Sequence, residues 1–256
     1  MTQFARYPSL HGVPVVISGG ASGIGECLVR EFAAQGAKVG FVDIQAERGQ
    51  QLATEIVAAG QTALFAACDI TDVAAYQAAI NTFAEANGDA LVLVNNAAHD
   101  QRHDWIEVTP AYWDDRMAVN LKHAFFAIQA VAPGMIKAKR GSIINTGSIS
   151  WMIMSPKIPV YETAKAATHG LTRAMARELG PHGVRVNSLV PGWVMTERQL
   201  THWVDAEAER QIDATQALAG RVYPEDVARM ALFLAAEDSA MISAQQFLVD
   251  GGWAHG

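Results

Sequence analysis

Short runs of β-branched residues alternate along this chain with longer Ala-rich segments of helical spacing. Strands are expected at 13–17, 38–43, 63–67, 90–94, 142–145, 184–190 and 246–249. The first is Val13-Pro14-Val15-Val16-Ile17, where Pro14 is tolerable only near the strand start. Helices are expected at 24–35, stopped by Gly36, at 46–59, stopped by Gly60, and at 72–87. A long helix over 111–137 is expected to bend at Pro133-Gly134. Further helices are expected at 158–179, ending at Gly180-Pro181, and at 224–236, opened by Pro224 in its first turn. Residues 197–219 are polar and Ala-rich with no strand signal, and read as an inserted helical flap. Strand–helix alternation of this kind builds βαβ units, hence an α/β fold with a doubly wound parallel sheet covered by helices on both faces. No linker or repeat interrupts it, so residues 1–256 are expected to form one domain.

Composition narrows the class. Half the residues are hydrophobic and 18% are charged, as in an ordinary globular chain with a large core. The 19 Lys and Arg against 26 Asp and Glu leave a formal charge of −7, which argues against a nucleic-acid or anionic-membrane partner. Two cysteines, Cys27 and Cys68, are too few for a disulfide framework or a cysteine zinc site. The N-terminus carries no charged-then-apolar signal pattern and no apolar run is long enough to span a bilayer, so a cytoplasmic setting is expected.

Between the first strand and first helix lies Ser18-Gly19-Gly20-Ala21-Ser22-Gly23-Ile24-Gly25. Glycines there permit a tight turn and let backbone N–H groups approach a pyrophosphate at the helix N-terminus. The spacing is Gly19-x3-Gly23-x-Gly25, not the G-x-G-x-x-G fingerprint, and a merely connecting turn is the bland alternative. Asp43 weighs against that alternative. It closes the second strand 18 residues after Gly25, near the position from which a carboxylate binds the adenosine ribose hydroxyls and repels a 2′-phosphate. Ile44 and Gln45 follow it and are not basic; Arg48 is the nearest cation in sequence. NAD is therefore the expected cofactor, with NADP secondary. Later strand ends add candidates: Asp69, with Ile70 beside it, for the adenine, and Asn96-Ala97-Ala98, whose small residues admit a close cofactor.

Tyr161 and Lys165 stand at i and i+4, on one helix face. An adjacent ammonium favours the phenolate, which would make Tyr161 a general base. Ser148 lies 13 residues earlier, just past the fifth strand, where its hydroxyl can face the same pocket. Asn120 sits inside a helix, where Asn is a poor choice, so a bond across the helix or a held water is expected of it.

These residues, with Pro191-Gly192 and Asp250-Gly251-Gly252, resemble the short-chain dehydrogenase/reductase family in order and spacing over essentially the whole chain. Ser18 stands where the family usually has Thr, and Ala98 where Asn-Asn-Ala-Gly ends in Gly. The resemblance implies a Rossmann-like fold and a catalytic tetrad of Asn120, Ser148, Tyr161 and Lys165. Tyr161 would take the substrate hydroxyl proton and Ser148 would bond the same oxygen. Lys165 would hold the nicotinamide ribose and Asn120 a relay water. Pro191, Gly192, the Val194 backbone and Thr196 would meet the carboxamide end of the cofactor. The resemblance also implies a homotetramer.

Tyr7-Pro8-Ser9-Leu10, Asp100-x-Arg102-His103, Ala111-Tyr112-Trp113-Asp114, Gly147-Ser148-Ile149-Ser150-Trp151 and Arg198-Gln199 narrow the resemblance to bacterial aldose 1-dehydrogenases, which oxidise a sugar at its anomeric C1 hydroxyl to the lactone. His99 and Gln101 depart from that subgroup's Asn-Asp-Asp-Arg-His, and Met152-Ile153-Met154 from its His-Leu-Gly. Substrate candidates are His99, Gln101, Arg102, Ser148, Trp151, Met154, Tyr161, Trp193 and Arg198. A surface loop position, a flap salt bridge or core packing is the plain alternative for those outside the tetrad. The more apolar 152–154 stretch favours L-fucose or L-arabinose over D-galactose. His99, Asp100, His103 and Asp104 cluster in sequence, but the implied chemistry needs no metal and none is expected. Another secondary alcohol, such as a polyol or deoxy-keto sugar acid, is the alternative substrate. A non-catalytic dinucleotide sensor fits poorly, because all four tetrad positions are filled.

Overall fold

The computed structural model describes residues 4–254. Seven strands form one sheet: β1 (Pro14–Ser18), β2 (Lys38–Asp43), β3 (Thr62–Ala67), β4 (Val92–Asn95), β5 (Gly141–Thr146), β6 (Val184–Pro191) and β7 (Gln246–Val249). Every pairing is parallel and the order is β3-β2-β1-β4-β5-β6-β7. The chain winds outward from β1 to β3, then returns to place β4 on the other side of β1. That reversal opens a crevice beyond the strand C-termini, the usual ligand position of such sheets.

Side-chain alternation sends successive strand residues to two apolar layers. Val15, Ile17, Val39, Phe41, Val94, Ile144 and Leu189 pack under α1 (Gly23–Ala34), α2 (Ala46–Ala58) and α9 (Pro224–Ala235). Val16, Val42, Leu93, Ile143 and Val186 pack under α3 (Val73–Asn87), α5 (His123–Ala138) and α6 (Pro159–Leu179). Parallel strands buried on both faces must read as continuous apolar runs, which is how β1 and β4 read. The expected elements are present with ends moved by a residue or two; β4 starts at Val92, not at 90. Asp72 lies outside α3 as its N-cap, its carboxylate accepting from the Ala75 N–H at 3.0 Å.

The helix expected over 111–137 is interrupted elsewhere than at Pro133-Gly134, which lie within α5. It consists of α4 (Pro110–Met117), one π-helical turn over Ala118–Lys122, and α5. Asn120 is in that turn and its side-chain amide donates to the Arg116 carbonyl at 2.9 Å, four residues back. The side chain thus competes for a carbonyl of the helical ladder, and the backbone widens. Residues 197–219 contain α7 (Glu197–His202) and α8 (Ala206–Thr215), and a bridge between Val194 and Val222 closes the base of the segment.

A buried polar chain ties the sheet centre to α6. Asn95 Nδ2 donates to Asn145 Oδ1 at 2.8 Å between β4 and β5, and Asn145 Nδ2 donates to Thr172 Oγ1 on α6 at 3.0 Å. Asn145 and Thr172 have no solvent exposure. Asn145→Ala strips Asn95 Nδ2 of its acceptor, while Thr172 keeps its bond to the Thr168 carbonyl, and should lower the unfolding free energy by about 1–3 kcal/mol. A urea titration would show this as a lower midpoint at unchanged slope. An unchanged midpoint would mean that Asn95 and Thr172 re-pair.

Candidate active site

The turn after β1 is packed too tightly for side chains. Gly19 has φ +67°, and a Cβ there would lie 2.8 Å from Ala97 Cα; a Cβ on Gly25 would fall 1.7 Å from the Gly19 carbonyl oxygen. The Ser18 hydroxyl accepts from the Asn96 and Ala97 N–H groups, both at 3.1 Å, and Asn96 Nδ2 donates back to the Ser18 and Gly19 carbonyls at 3.1 and 3.0 Å. The first turn of α1 therefore opens onto a bare backbone cradle whose shape fits a pyrophosphate, with Ser22, Gly23 and Ile24 at its rim.

Asp43 stands beside the cradle. One carboxylate oxygen accepts from the Ala21 N–H and the other from the Gln45 N–H, each at 3.0 Å. Gln45 also donates from its side chain to Ser22 Oγ at 3.1 Å, so the carboxylate is held by the turn it faces. Ile44 is exposed beside it. Arg48 is engaged by Glu197 at 3.1 Å and Glu26 at 3.5 Å. Asp69 is exposed and accepts from Thr71 through N–H and hydroxyl, while Ile70 is buried behind it. Ala98 is exposed at the end of β4. Pro191 and Val194 are buried, Gly192 is half-buried, and the Thr196 hydroxyl caps α7 by accepting from the Gln199 N–H.

At the other end of the crevice the tetrad positions meet. Lys165 is 3% exposed and its ammonium donates to the Thr146 carbonyl at 2.7 Å. Nζ lies 5.6 Å from the centre of the Tyr161 ring. Burial pushes Lys165 down to about 8, opposed by the Asp100 carboxylate. Tyr161 is shifted opposite to the sequence expectation. Its phenol is raised, first by burial and then by Asp100, and the hydrogen bond with Ser148 only partly offsets this. Burial of the phenol, and not the i+4 ammonium, therefore sets the direction of the shift. Ser148 Oγ also accepts from the Ser150 N–H at 3.1 Å. Asn120 is clamped on both sides: Oδ1 accepts from the His99 N–H at 2.8 Å, and Nδ2 donates to the His99 carbonyl at 3.2 Å.

His99 Nδ1 faces Arg116 Nη1 at 2.7 Å. Arginine can only donate, so Nδ1 accepts and the ring proton belongs on Nε2. Burial, Arg198 and Arg116 all lower the His99 pKa and keep it neutral. His123, buried one turn after Asn120, is pushed down to about 3 by burial and then by Lys165.

The remaining substrate candidates divide. Arg198 ion-pairs with Asp100 at 3.3 Å, the flap salt bridge weighed for it above. Arg102 lies 4.3 Å over the Trp203 ring and 6.0 Å from the centre of Trp193. Trp193 Nε1 donates to Gln199 Oε1 at 2.9 Å, and Trp151 is half-buried. Gln101 is exposed, and Met154 is 84% exposed at φ +54°. Met152 and Ile153, by contrast, pack against Ile149, Val190 and Trp253. Among the described residues no three His, Cys, Asp or Glu side chains converge on a metal-sized site. Arg116, Gln199 and Trp203 carry no candidate role in the sequence, and Asp100 stood there only in the His99–Asp104 cluster. Asp100 and Gln199 lay inside quoted motifs, but only the fold brings them together.

A family model described as Enoyl-(Acyl carrier protein) reductase, of the short-chain type, matches residues 19–254. The chain belongs to the short-chain dehydrogenase/reductase family. This dehydrogenase is 49% identical over 249 residues to the D-xylose 1-dehydrogenase of Caulobacter vibrioides, covering 97% of this chain and 98% of the relative. It is 42% identical to the protein named probable galactose dehydrogenase GalD of Rhizobium meliloti, covering 97% of each. Among solved structures it is similar to a 3-oxoacyl-[acyl-carrier protein] reductase of Brucella melitensis with bound NAD, with TM-score 0.89, 31% identity, and coverage of 100% of this chain and 98% of that one. A 7α-hydroxysteroid dehydrogenase complexed with NADH and a 7-oxo bile acid aligns with TM-score 0.92 and 30% identity over 96% of each chain. One fold thus carries sugars, steroids and acyl thioesters, and the reaction of this dehydrogenase must be argued from its own site.

Lys165 makes the site costly to fold. Its folded pKa of about 8 lies below its ordinary 10.5, so between those values the unfolded chain keeps a proton that the folded chain has lost. The group opposes folding fully below about pH 8, and the opposition fades as pH rises toward 10.5. Lys165→Met should raise Tm at pH 7 by about 3 °C, with the gain vanishing near pH 10.5 in a melting series. A Tm below wild type at pH 7 would show that the bond to the Thr146 carbonyl outweighs burial.

Proposed function

We propose that this enzyme is an NAD-dependent aldose 1-dehydrogenase, oxidising the anomeric C1 hydroxyl of a pyranose to the lactone. The observation that carries the reading is the Tyr161 phenol beside the Ser148 hydroxyl, with the buried Lys165 ammonium 5.6 Å from the centre of its ring. The relatives named for xylose and galactose support the aldose class.

The cradle of Gly19, Gly23 and Gly25 would hold the pyrophosphate, Asp43 the adenosine ribose, and Asn96, Pro191, Gly192, Val194 and Thr196 the nicotinamide half. Bound NAD supplies the hydride acceptor and a positive charge. Tyr161 takes the proton of the C1 hydroxyl, and Ser148 hydrogen-bonds the same oxygen as it becomes a carbonyl. Lys165, buried and mostly protonated at neutral pH, favours the phenolate form of Tyr161 and holds the ribose. Its raised pKa makes Tyr161 a strong base but a scarce one, so turnover in the oxidative direction should rise with pH. Asn120, locked against His99, anchors the proton relay. His99 offers an Nε2–H donor to a sugar hydroxyl, and Trp151 a stacking face.

Tyr161→Phe should lose more than about 100-fold in kcat while still binding NAD; retention of a tenth of the rate would refute the base assignment. Asp43 and the engagement of Arg48 by two glutamates favour NAD over NADP, and Asp43→Ala should shrink the ratio of kcat/KM values. Wild-type preference for NADP would overturn that reading.

A steady-state panel of D-xylose, L-arabinose, L-fucose and D-galactose should place the pentoses and L-fucose first. The relative named for D-xylose supports a pentose, and the apolar 152–154 stretch, whose Met152 and Ile153 pack with Ile149, favours a sugar without a 6-hydroxyl. Activity confined to acyclic polyols or hydroxyacyl thioesters would overturn the aldose reading and leave the tetrad intact. The enzyme is further proposed to be a homotetramer joined through α4, α5 and α6, where Trp113 and Phe125 are exposed at 40% and 45%. Light scattering that gave 27.5 kDa would contradict this.

A further inference from the structure

Helix α7 has only six residues, Glu197–His202, and none of them is buried. A helix of that length is unstable alone, and this one has no apolar face in the core to hold it. Its Leu200 is 53% exposed. The next helix is different: Ala208 and Ile212 anchor α8, with Ile212 wholly buried against Ile149, Val190 and Trp253. Polar contacts must therefore dock α7: Glu197 at its start pairs with Arg48 at 3.1 Å, and the next two side chains, Arg198 and Gln199, converge on one carboxylate. Gln199 Nε2 donates to Asp100 Oδ2 at 2.7 Å and Arg198 Nε to Asp100 Oδ1 at 3.3 Å. Gln199 is held from its other end by the Trp193 indole N–H at 2.9 Å. Arg102, two residues beyond Asp100, lies 4.3 Å over the ring of Trp203, the residue that follows α7. Asp100 also stands close enough to Tyr161 and Lys165 to act on both electrostatically. It thus sits between the reacting side chains and the helix above them.

We propose that Asp100 is a positioning residue that clasps α7 over the sugar pocket, acting through Gln199 and not by contact with the reacting atoms. The Asp100–Gln199 bond carries most of the effect. The Arg198 pair is 45% exposed on the arginine side, where solvent screening leaves an ion pair little strength. A charge-assisted bond from a fixed amide to a partly buried carboxylate is stronger and directional. With the clasp made, the wall formed by Trp193, Gln199 and Trp203 is preorganised and the sugar need not order it on binding. The role rests on the dehydrogenase reading for its kinetic consequence, but the docking of α7 does not.

The test is a double-mutant cycle of Asp100→Ala, Gln199→Ala and both together, read in two ways. Tryptic cleavage of the Arg198–Gln199 bond inside α7, located by mass spectrometry, reports release of that helix without any substrate. Each single variant should be cut about fivefold faster than wild type, and the double variant no faster than the singles. With the best aldose, KM should rise about tenfold in each single variant while kcat changes less than about threefold, again with no further change in the double. Asp100→Asn keeps an acceptor for Gln199 and should recover most of the wild-type KM. Cleavage within twofold of wild type in both single variants would overturn the clasp. So would effects that multiply in the double variant. A kcat loss beyond 100-fold at unchanged KM would place Asp100 among the reacting groups and refute the positioning role. If Asp100→Ala fails to fold, Gln199→Ala and Asp100→Asn decide the question. If wild type turns over no aldose, the function assignment fails, and the cleavage rates still decide the clasp.

Discussion

The Ser18 hydroxyl accepts from two consecutive amides at the end of β4, at the place where the sheet reverses its winding. Much of the molecule follows from that junction. It draws the β4 end so close to the turn after β1 that Gly19 and Gly25 can carry no Cβ. The bare turn leaves the first amides of α1 facing a crevice. The same junction sets the start of the chain that continues through Ala97 to His99 and Asp100. The reversal thus places a backbone cradle at one end of the crevice and a polar wall at the other.

The chemistry at that wall depends on opposed burial effects. Removing Lys165 from water weakens its ammonium, and removing Tyr161 from water strengthens its phenol's hold on the proton. Both shifts work against an ion pair between the two. Asn120 shows the same economy on a smaller scale: its amide displaces a helical hydrogen bond to Arg116, and the resulting π turn aims the side chain at the His99 backbone.

The segment 197–219 obeys different physics from the rest. The sheet and its helices are held by two apolar layers, whereas α7 rests on a hydrogen-bonded carboxylate, an indole N–H and a guanidinium over a ring. Such contacts are few and directional, so the position of α7 depends on a handful of named partners. An element held this way can respond to what lies beneath it, while the scaffold that carries Tyr161 and Lys165 stays rigid.

Periodicity determined most of the architecture from sequence alone, because parallel strands buried on both faces need unbroken apolar runs and their crossover helices need an amphipathic stripe. The glycine turn, Asp43, Ser148 and the Tyr161–Lys165 spacing were legible because their function depends on local geometry: a tight turn, a strand end, one helix face. Four features were decided only by the tertiary structure. The π-helical interruption at Asn120 had no sequence signal, since the competing hydrogen bond runs to a carbonyl whose loss no propensity records. The direction of the Tyr161 shift depended on burial, which the i, i+4 spacing does not contain. Arg198 turned from a substrate candidate into a partner of Asp100, and Gln199 joined it, 99 residues apart along the chain. Met154 faced solvent while its neighbours packed inward, because a residue at positive φ turns the chain away from the wall its sequence context implied. Side chains that act through partners distant in sequence have no local signature, and only the closed sheet brings those partners within reach.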